Sequence, residues 1–272
     1  LAVLSLLLVR IPAPPPSAAG RAAQGSILRQ AAYGWSYIVR HPGLVGLLTF
    51  FALVNLLLGF VIVLVTPLVL SFSSAAELGV VLSAGSFGGL LGGLTMGAWG
   101  GPKQRIHGIL GFSPFLGLGL LIMGLSPSVP LIAAGLFLFH FVVPIVNGSN
   151  QAIWQSKVEP DVQGRVFAMR RLLTQFTTPI SFLLAGPLAD YVFEPMLAPG
   201  GALSGSVGRW IGVGTGRGVG LLFIIMGGTL LISAASGYVF PRLRLLEKEI
   251  PDAVPATPPA PAPAPAQAPA RA

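Results

Sequence analysis

The sequence contains no cysteine and little charge, and each of these features excludes a class of protein. Without cysteine the chain has no disulfide, no thiolate metal ligand and no thiol nucleophile. Charged residues make up 9% of the 272 residues, against roughly 25% in soluble domains. Hydrophobic residues make up 53%, and the mean hydropathy is +0.81. This composition predicts an all-α integral membrane protein whose first partner is the lipid bilayer.

The charges that are present are mostly basic, with 16 Lys and Arg against 8 Asp and Glu and a net charge of +8. Basic proteins often bind nucleic acid. Here the basic residues lie in short loops beside apolar segments, which is the pattern of the positive-inside rule. We therefore expect no nucleic-acid partner.

Six apolar segments are each long enough to cross a hydrocarbon core of about 30 Å. They are Leu44–Leu70, Leu78–Trp99, Ile106–Leu125, Leu131–Trp154, Leu172–Phe193 and Val219–Phe240. Fourteen of the 16 basic residues fall on the side of the two chain ends, and only Arg209 and Arg217 fall on the other. Both ends are therefore predicted to be cytoplasmic, in a multi-pass protein of the cell (plasma or inner) membrane.

The remaining segments complete the predicted domain organisation. Residues 1–10 are read as the end of a truncated transmembrane helix, because Leu1–Val9 is too short to span and has no basic residue before it. Residues 11–43 form a cytoplasmic linker with an amphipathic helix in the membrane interface. Residues 44–241 form the bundle, and 242–272 form a cytoplasmic, disordered tail rich in Pro and Ala.

The fourth span carries a polar stripe at intervals of four, three, four and three residues, formed by His140, Pro144, Asn147, Gln151 and Trp154. A polar helix face in hydrocarbon needs protein partners or a water-filled path. The candidates for a substrate cavity are His140, Asn147 and Gln151, with Asn55 of the first span and Gln175 of the fifth. Interhelical hydrogen bonding remains an alternative for all of them, and Trp154 is read as an interface anchor.

Charged residues at the span ends are candidates for gates. Glu159, Asp161 and Arg165 surround the turn between the fourth and fifth spans, where Asp161 is suited to cap a helix that begins near Val162. With Lys103 and Arg105 they form a candidate cytoplasmic latch, and the alternative is a solvated loop. Asp190, near the outer end of the fifth span, is the candidate outer gate.

The second span repeats glycine every fourth residue, at Gly85, Gly89, Gly93 and Gly97. Such spacing lets another helix approach closely, so we expect these residues to serve helix packing. Prolines inside or near the ends of spans predict kinks. They are Pro67, Pro114, Pro144, Pro179 and Pro187.

Three segments carry a resemblance to a known family: GAWGGPKQRIHG, KVEPDVQGRVFAMRR and GPLAD. With six spans, they resemble the C-terminal half of a major facilitator superfamily transporter, and most of all its macrolide-efflux and siderophore-exporter branch. Gly97, Gly101, Lys103 and Arg105 match that family's loop between the second and third helices of a half. The acidic residue of the loop has no counterpart, so its role is not carried over. The resemblance implies one half of a twelve-helix fold, whose partner is an N-terminal six-helix half.

The resemblance also implies a secondary active transporter that works by alternating access. We expect an exporter of hydrophobic or amphipathic small molecules, an antiporter with protons as the coupling ion, and no cofactor. An importer or facilitator of a metabolite and a non-transporting sensor or scaffold remain alternatives. A lipid-modifying enzyme is disfavoured, because no H-E-x-x-H motif occurs and the three histidines lie on separate segments.

Overall fold

The computed structural model describes residues 27–253, and all regular secondary structure in that range is helical. Six segments are long and apolar enough to cross a membrane: α2 (Pro42–Leu70), α3 (Ala75–Trp99), α4 (Arg105–Leu125), α5 (Val129–Lys157), a composite fifth span (Gln163–Leu197) and α10 (Arg217–Val239). The predicted all-α membrane fold with six spans is confirmed. The remaining helices outside the spans are α1 (Ile27–Val39), α9 (Gly208–Ile211), α11 (Pro241–Arg244) and α12 (Leu246–Glu249).

The fifth span is broken, and prolines account for both irregularities. It consists of α6 (Gln163–Gln175), α7 (Thr177–Leu188), a π-helical turn (Ala189–Phe193) and α8 (Glu194–Leu197). Pro179 has no N–H to donate to the carbonyl of Gln175, so the α-helical ladder stops there. Pro187 has the same effect just before the π turn. The helices α2, α4 and α5 continue through Pro67, Pro114 and Pro144.

Helix ends follow local sequence signals. Pro42 is the first residue of α2, where its missing N–H costs no hydrogen bond. Ser74 and Glu77 form a capping box at the start of α3, in which Oε2 of Glu77 accepts from the N–H of Ser74 at 3.1 Å. Gly100 ends α3 with a φ of +76°, a conformation that favours glycine.

Helix α4 packs between α5 and α10, and glycine makes both contacts close. A Cβ on Gly119 would lie 2.7 Å from the carbonyl oxygen of Gly135 in α5. A Cβ on Gly117 would lie 2.8 Å from the carbonyl oxygen of Gly227 in α10. Helix α3 packs on the other side of α5, and α2 packs against α6 and α7. Because lipid is as apolar as leucine, such close backbone packing is what holds membrane helices together.

The two ends of the bundle differ in charge, and we name them accordingly. The basic end carries residues 40–41, 100–104, 158–162 and 240–253, and the opposite end carries residues 71–74, 126–128 and 198–216. Among the described residues, every Lys and Arg except Arg209 and Arg217 lies at or near the basic end.

Helix α1 lies across the basic end and packs on α6. A Cβ on Gly34 would lie 2.8 Å from the carbonyl oxygen of Arg165, so glycine is needed for this contact. The Tyr37 hydroxyl donates to the carbonyl oxygen of Lys157 at 3.0 Å. Burial raises the pKa of Tyr37 to about 12, so the hydroxyl keeps its proton at neutral pH. Trp35 and Val39 of α1 are exposed.

The chain after α10 is fastened to the basic end of the bundle. Lys157 is 6% exposed, and its Nζ donates to the carbonyl oxygen of Glu247 at 2.9 Å and pairs with Oδ1 of Asp252 at 2.8 Å. The Glu247 carboxylate accepts from the N–H of Ile106 at 2.9 Å. The folded part of the chain therefore extends beyond the boundary predicted at residue 241. The predicted helix end at residues 1–10 and the Pro/Ala run after residue 253 lie outside the described residues.

Candidate functional site

A cavity of about 470 Å³ opens between α2, α5 and α6 in the half of the bundle nearer the basic end. Each helix contributes one face, because its lining residues recur at intervals of three or four positions, with some adjacent pairs. The lining residues are Leu47, Leu48, Phe51 and Asn55 from α2, Asn147, Asn150 and Trp154 from α5, and Phe167, Arg170, Arg171, Thr174 and Gln175 from α6. The cavity thus joins an apolar wall to a wall rich in amides and guanidinium groups.

Arg170 is the most constrained side chain of the cavity. Its Nη2 donates to Oε1 of Gln151 at 2.8 Å. Its guanidinium carbon lies 5.4 Å from the centre of the Trp154 ring and 5.3 Å from that of Phe167, within cation–π range. These contacts fix the position of the charge. Its Nη1 atom is buried and makes no hydrogen bond within residues 27–253.

Trp154 belongs to the cavity wall and not to the membrane interface, which corrects the reading as an interface anchor. It is 1% exposed, and its indole N–H donates to Oδ1 of Asn150 at 3.0 Å. The two residues are one helical turn apart, so the bond forms within α5. The reason for the correction is that α6 covers this face of α5 with Phe167 and Arg170.

Three of the predicted cavity residues, Asn55, Asn147 and Gln175, line this one cavity. Asn55 donates through Nδ2 to the carbonyl oxygen of Phe51 at 2.7 Å. Gln175 accepts through Oε1 from Nε of Arg171 at 3.0 Å. Asn147 is exposed to the cavity. Their placement together fits the predicted cavity, while their contact with a substrate remains a prediction.

The other two predicted cavity residues lie elsewhere. Gln151 does not line the cavity but holds Arg170 from behind. His140 is half-buried at the contact of α5 with α3, and its Nδ1 lies 3.1 Å from the carbonyl oxygen of Leu136. A Cβ on Gly85 would lie 3.5 Å from that nitrogen. The stripe of the fourth span therefore divides, and the cavity face runs through Asn147, Asn150 and Trp154.

The predicted latch residues gather at the basic end. Arg165 lies in α6 beside a groove of about 440 Å³ that Asp161 also lines, and its Nη1 is buried without a hydrogen bond inside the described range. Glu159 and Asp161 are half-buried in the turn before α6, whose N-cap residue is Val162. Lys103 is exposed in the loop before α4, and Arg105 is the first residue of that helix.

Asp190 lies at the opposite end, exposed in the π turn, and lines a cavity of about 570 Å³. Its neighbour in this cavity, Glu194, accepts from the N–H groups of Gly216 and Val219, each at 3.1 Å. A carboxylate at these orphan donors stabilises the start of α10. The structure thus places Glu194, which the sequence reading did not single out, at this helix start.

The glycine stripe of α3 also divides between two faces. Gly85, Gly88 and Gly92 face α5, and the contacts of Gly88 and Gly92 are with the carbonyl oxygens of Phe137 and Phe141. A Cβ on Gly93 or Gly97 would meet no atom within 4 Å in the described part of the chain. The close packing therefore runs along Gly85, Gly88 and Gly92. Of the four glycines predicted to serve packing, Gly85 lies in this contact, and a Cβ on Gly89 would lie 3.9 Å from Cβ of His140.

The sequence reading missed Asn150, Arg170, Arg171 and Thr174 as cavity residues. In the sequence, the two arginines lie close to a short basic loop, so they indicate only on which side of the membrane that loop lies. A signal for Asn150 was present, since it is three residues after Asn147 and four before Trp154.

A sequence model of one family matches residues 1–182, which is more than half of the chain, and its description is Major Facilitator Superfamily. The chain belongs to the Major Facilitator Superfamily. The resemblance stated from the sequence is confirmed, and it groups the chain with membrane transporters and not with enzymes. No solved structure matches the chain.

Curated relatives within this superfamily are named as efflux proteins. Macrolide efflux protein A of Streptococcus pyogenes is 31% identical over 39% of this chain and 26% of its own length. Macrolide efflux protein A of Enterococcus faecalis is 28% identical over 66% of this chain and 56% of its own length. Multidrug efflux pump Tap of Mycolicibacterium fortuitum is 32% identical over 42% of this chain and 28% of its own length. The chain thus spans about half or less of the length of these relatives.

Proposed function

We propose that this chain is the C-terminal six-helix half of a secondary transporter that exports hydrophobic or amphipathic small molecules by alternating access. The observation that carries the proposal is the cavity of α2, α5 and α6, in which Asn55, Asn147 and Gln175 share one space with the side chains of Leu47, Leu48, Phe51, Trp154 and Phe167. Sites for small molecules combine apolar and aromatic surface with placed polar groups, and this cavity has both. The names of the macrolide and multidrug efflux relatives support the same substrate class.

The proposed orientation places the basic end in the cytoplasm. Support comes from the distribution of Lys and Arg, of which only Arg209 and Arg217 among the described residues lie at the opposite end. Both ends of this chain are then cytoplasmic. The cavity is reached from the cytoplasm in one state, which suits a protein that collects its substrate inside the cell.

The gates are proposed at the two ends of the bundle. At the basic end, the buried and unpaired Nη1 of Arg165 is suited to a carboxylate of an N-terminal half when the cytoplasmic side is closed. Glu159, Asp161, Lys103 and Arg105, at the same end of the bundle, complete the proposed latch. Asp190 is the proposed outer gate. Protons are the proposed coupling ion, and His140, half-buried on α5, is the candidate of this half to bind one.

An accumulation assay tests the proposed function. The full-length native protein is expressed in a bacterium without its own efflux pumps, and the uptake of a panel of radiolabelled lipophilic compounds, anionic, neutral and cationic, is followed. We expect several-fold lower accumulation than in cells without the protein, and a return to the control level when a protonophore collapses the proton gradient. A cavity-filling Asn147→Trp variant should lose the effect, whereas Lys248→Gln, at an exposed lysine after α10, should retain it.

The same assay separates the alternatives. Higher accumulation than in control cells would identify an importer, and unchanged accumulation across a panel of lipophilic compounds would favour a sensor or scaffold. Efflux that survives the protonophore would exclude protons as the coupling ion but would leave export in place.

A further inference from the structure

The cavity of α2, α5 and α6 is rich in hydrogen-bond donors, because three amide oxygens at or behind its wall are already occupied. Oδ1 of Asn150 accepts from the indole of Trp154, Oε1 of Gln151 accepts from Arg170, and Oε1 of Gln175 accepts from Arg171. Each bond uses the acceptor of an amide and leaves its NH₂ donors. A ligand that meets this wall therefore needs acceptors.

Arg170 provides the strongest of these donors. Gln151 holds one end of its guanidinium group and the rings of Trp154 and Phe167 hold its faces, yet Nη1 is buried and makes no hydrogen bond within the described range. A buried charge with unsatisfied donors is costly until an acceptor reaches it. The guanidinium group of Arg170 is thus held in place and still has a donor that can bind an acceptor.

The other charged residues around the cavity are also suited to an acidic ligand. Of the described residues that line it, none is a carboxylate, and the second charged residue is Arg171. Asn55 differs from these three amides, since its Nδ2 donates to the carbonyl oxygen of Phe51 and its Oδ1 is left as an acceptor. A ligand hydroxyl or N–H beside the acidic group would suit that position.

We propose that this cavity selects anionic amphiphiles, molecules with an apolar body and a carboxylate, sulfonate or similar oxyanion, and that Arg170 binds the anion. The inference rests on the proposed function and names the substrate class of the same site. A guanidinium fork matches an oxyanion in geometry and forms charge-assisted hydrogen bonds. Leu47 and Phe51 form the wall on which the apolar body packs.

A matched pair of fluorescent probes tests the charge preference. 8-Anilino-1-naphthalenesulfonate and N-phenyl-1-naphthylamine share one ring system and differ by a sulfonate. Binding is measured as energy transfer from Trp154 in the full-length protein, with Trp35, Trp99, Trp210 and any tryptophan outside this chain replaced by Phe. Nanodiscs of phosphatidylcholine keep anionic lipid from competing. In a second arm with phosphatidylglycerol, loss of transfer identifies a lipid headgroup as the anion source, and retained transfer identifies a soluble acid.

Two substitutions change the charge of the cavity in different ways. Arg170→Gln should weaken binding of the sulfonate probe about tenfold, the loss expected for one charge-assisted hydrogen bond, and change binding of the neutral probe less than twofold. Asn147→Asp adds a carboxylate without touching any contact of Arg170, so it should have the same effect even if Arg170→Gln disturbs folding. Asn147→Ser is its neutral control.

The outcomes separate this inference from the proposed function. Binding of both probes with no dependence on Arg170→Gln or Asn147→Asp overturns the anion preference and leaves the substrate cavity in place. Absence of energy transfer from Trp154 to either probe overturns the cavity as a ligand site, and with it the site on which the proposed function rests.

Discussion

The indole N–H of Trp154 donates to Asn150 one helical turn away, and both residues are buried. The guanidinium group of Arg170 makes a cation–π contact with the same indole ring. Removing the indole N–H leaves Oδ1 of Asn150, a residue that is only 7% exposed, without its protein partner. An unsatisfied buried acceptor costs about 1–3 kcal/mol. We therefore expect Trp154→Phe to lower the free energy of unfolding by about that amount.

This expectation is checked by thermal unfolding of the detergent-purified protein. Trp210→Phe is the matched control, because Trp210 is 90% exposed, and the same change there should leave the midpoint unchanged. Equal midpoints for the two variants would show that the indole N–H bond contributes nothing measurable.

At the same scale, the sequence indicated which polar residues lie in spans but not what each one faces. Asn147 and His140 are seven residues apart on α5, so they are expected on the same helix face. Asn147 nevertheless lines the cavity, and His140 faces α3. What each residue faces depends on where α3 and α6 pack against α5. The local sequence of α5 does not contain this information. Lys157 and Asp252, which form an ion pair, are 95 positions apart in the sequence, so no local sequence pattern predicts the pair.

Adjacent glycines of α3 give a direct test of the helix contact. Gly92 faces the carbonyl oxygen of Phe141, whereas a Cβ on Gly93 would meet no described atom within 4 Å. We expect Gly92→Val to destabilise the α3–α5 contact by about 1–3 kcal/mol, the usual cost of overpacking. Gly93→Val should cost far less, and the thermal midpoints of the two purified variants measure the difference. A larger loss for Gly93→Val would mean that another part of the protein packs on that face.

The segment after α10 is expected to depend on Lys157. Lys157→Met removes both the bond to Glu247 and the ion pair with Asp252, so backbone amides between residues 246 and 253 should exchange with deuterium at least several-fold faster. Lys248→Met, at an exposed lysine of the same segment, is the control and should leave exchange unchanged. Unchanged exchange in Lys157→Met would show that other contacts fasten this segment.

At the scale of elements, hydropathy was sufficient to place the six spans within a few residues, except at the start of the fifth. There α6 begins at Gln163, nine residues before the predicted Leu172, because its first turns are polar and pack on α1, so their hydropathy does not indicate a span. Pro179 indicated the break itself. The small helices α11 and α12 were not foreseen, since four-residue helices are fixed by tertiary contacts rather than by propensity.

At the scale of the whole molecule, the central claim is that the cavity of α2, α5 and α6 holds the substrate and opens to the cytoplasm. The chain contains no cysteine, so a single introduced thiol reports on one position. Asn147→Cys places it on the cavity wall, and Lys248→Cys places it at an exposed position after α10, at the same end. Any cysteine outside this chain is replaced by serine.

The decisive measurement is the rate at which a membrane-impermeant maleimide labels each thiol in inside-out vesicles, with and without a transported compound. We predict that the substrate slows labelling at position 147 several-fold and leaves labelling at position 248 unchanged, because the substrate occupies or closes the cavity. Labelling at position 147 that is unaffected by any transported compound would contradict the assignment of this cavity as the substrate site.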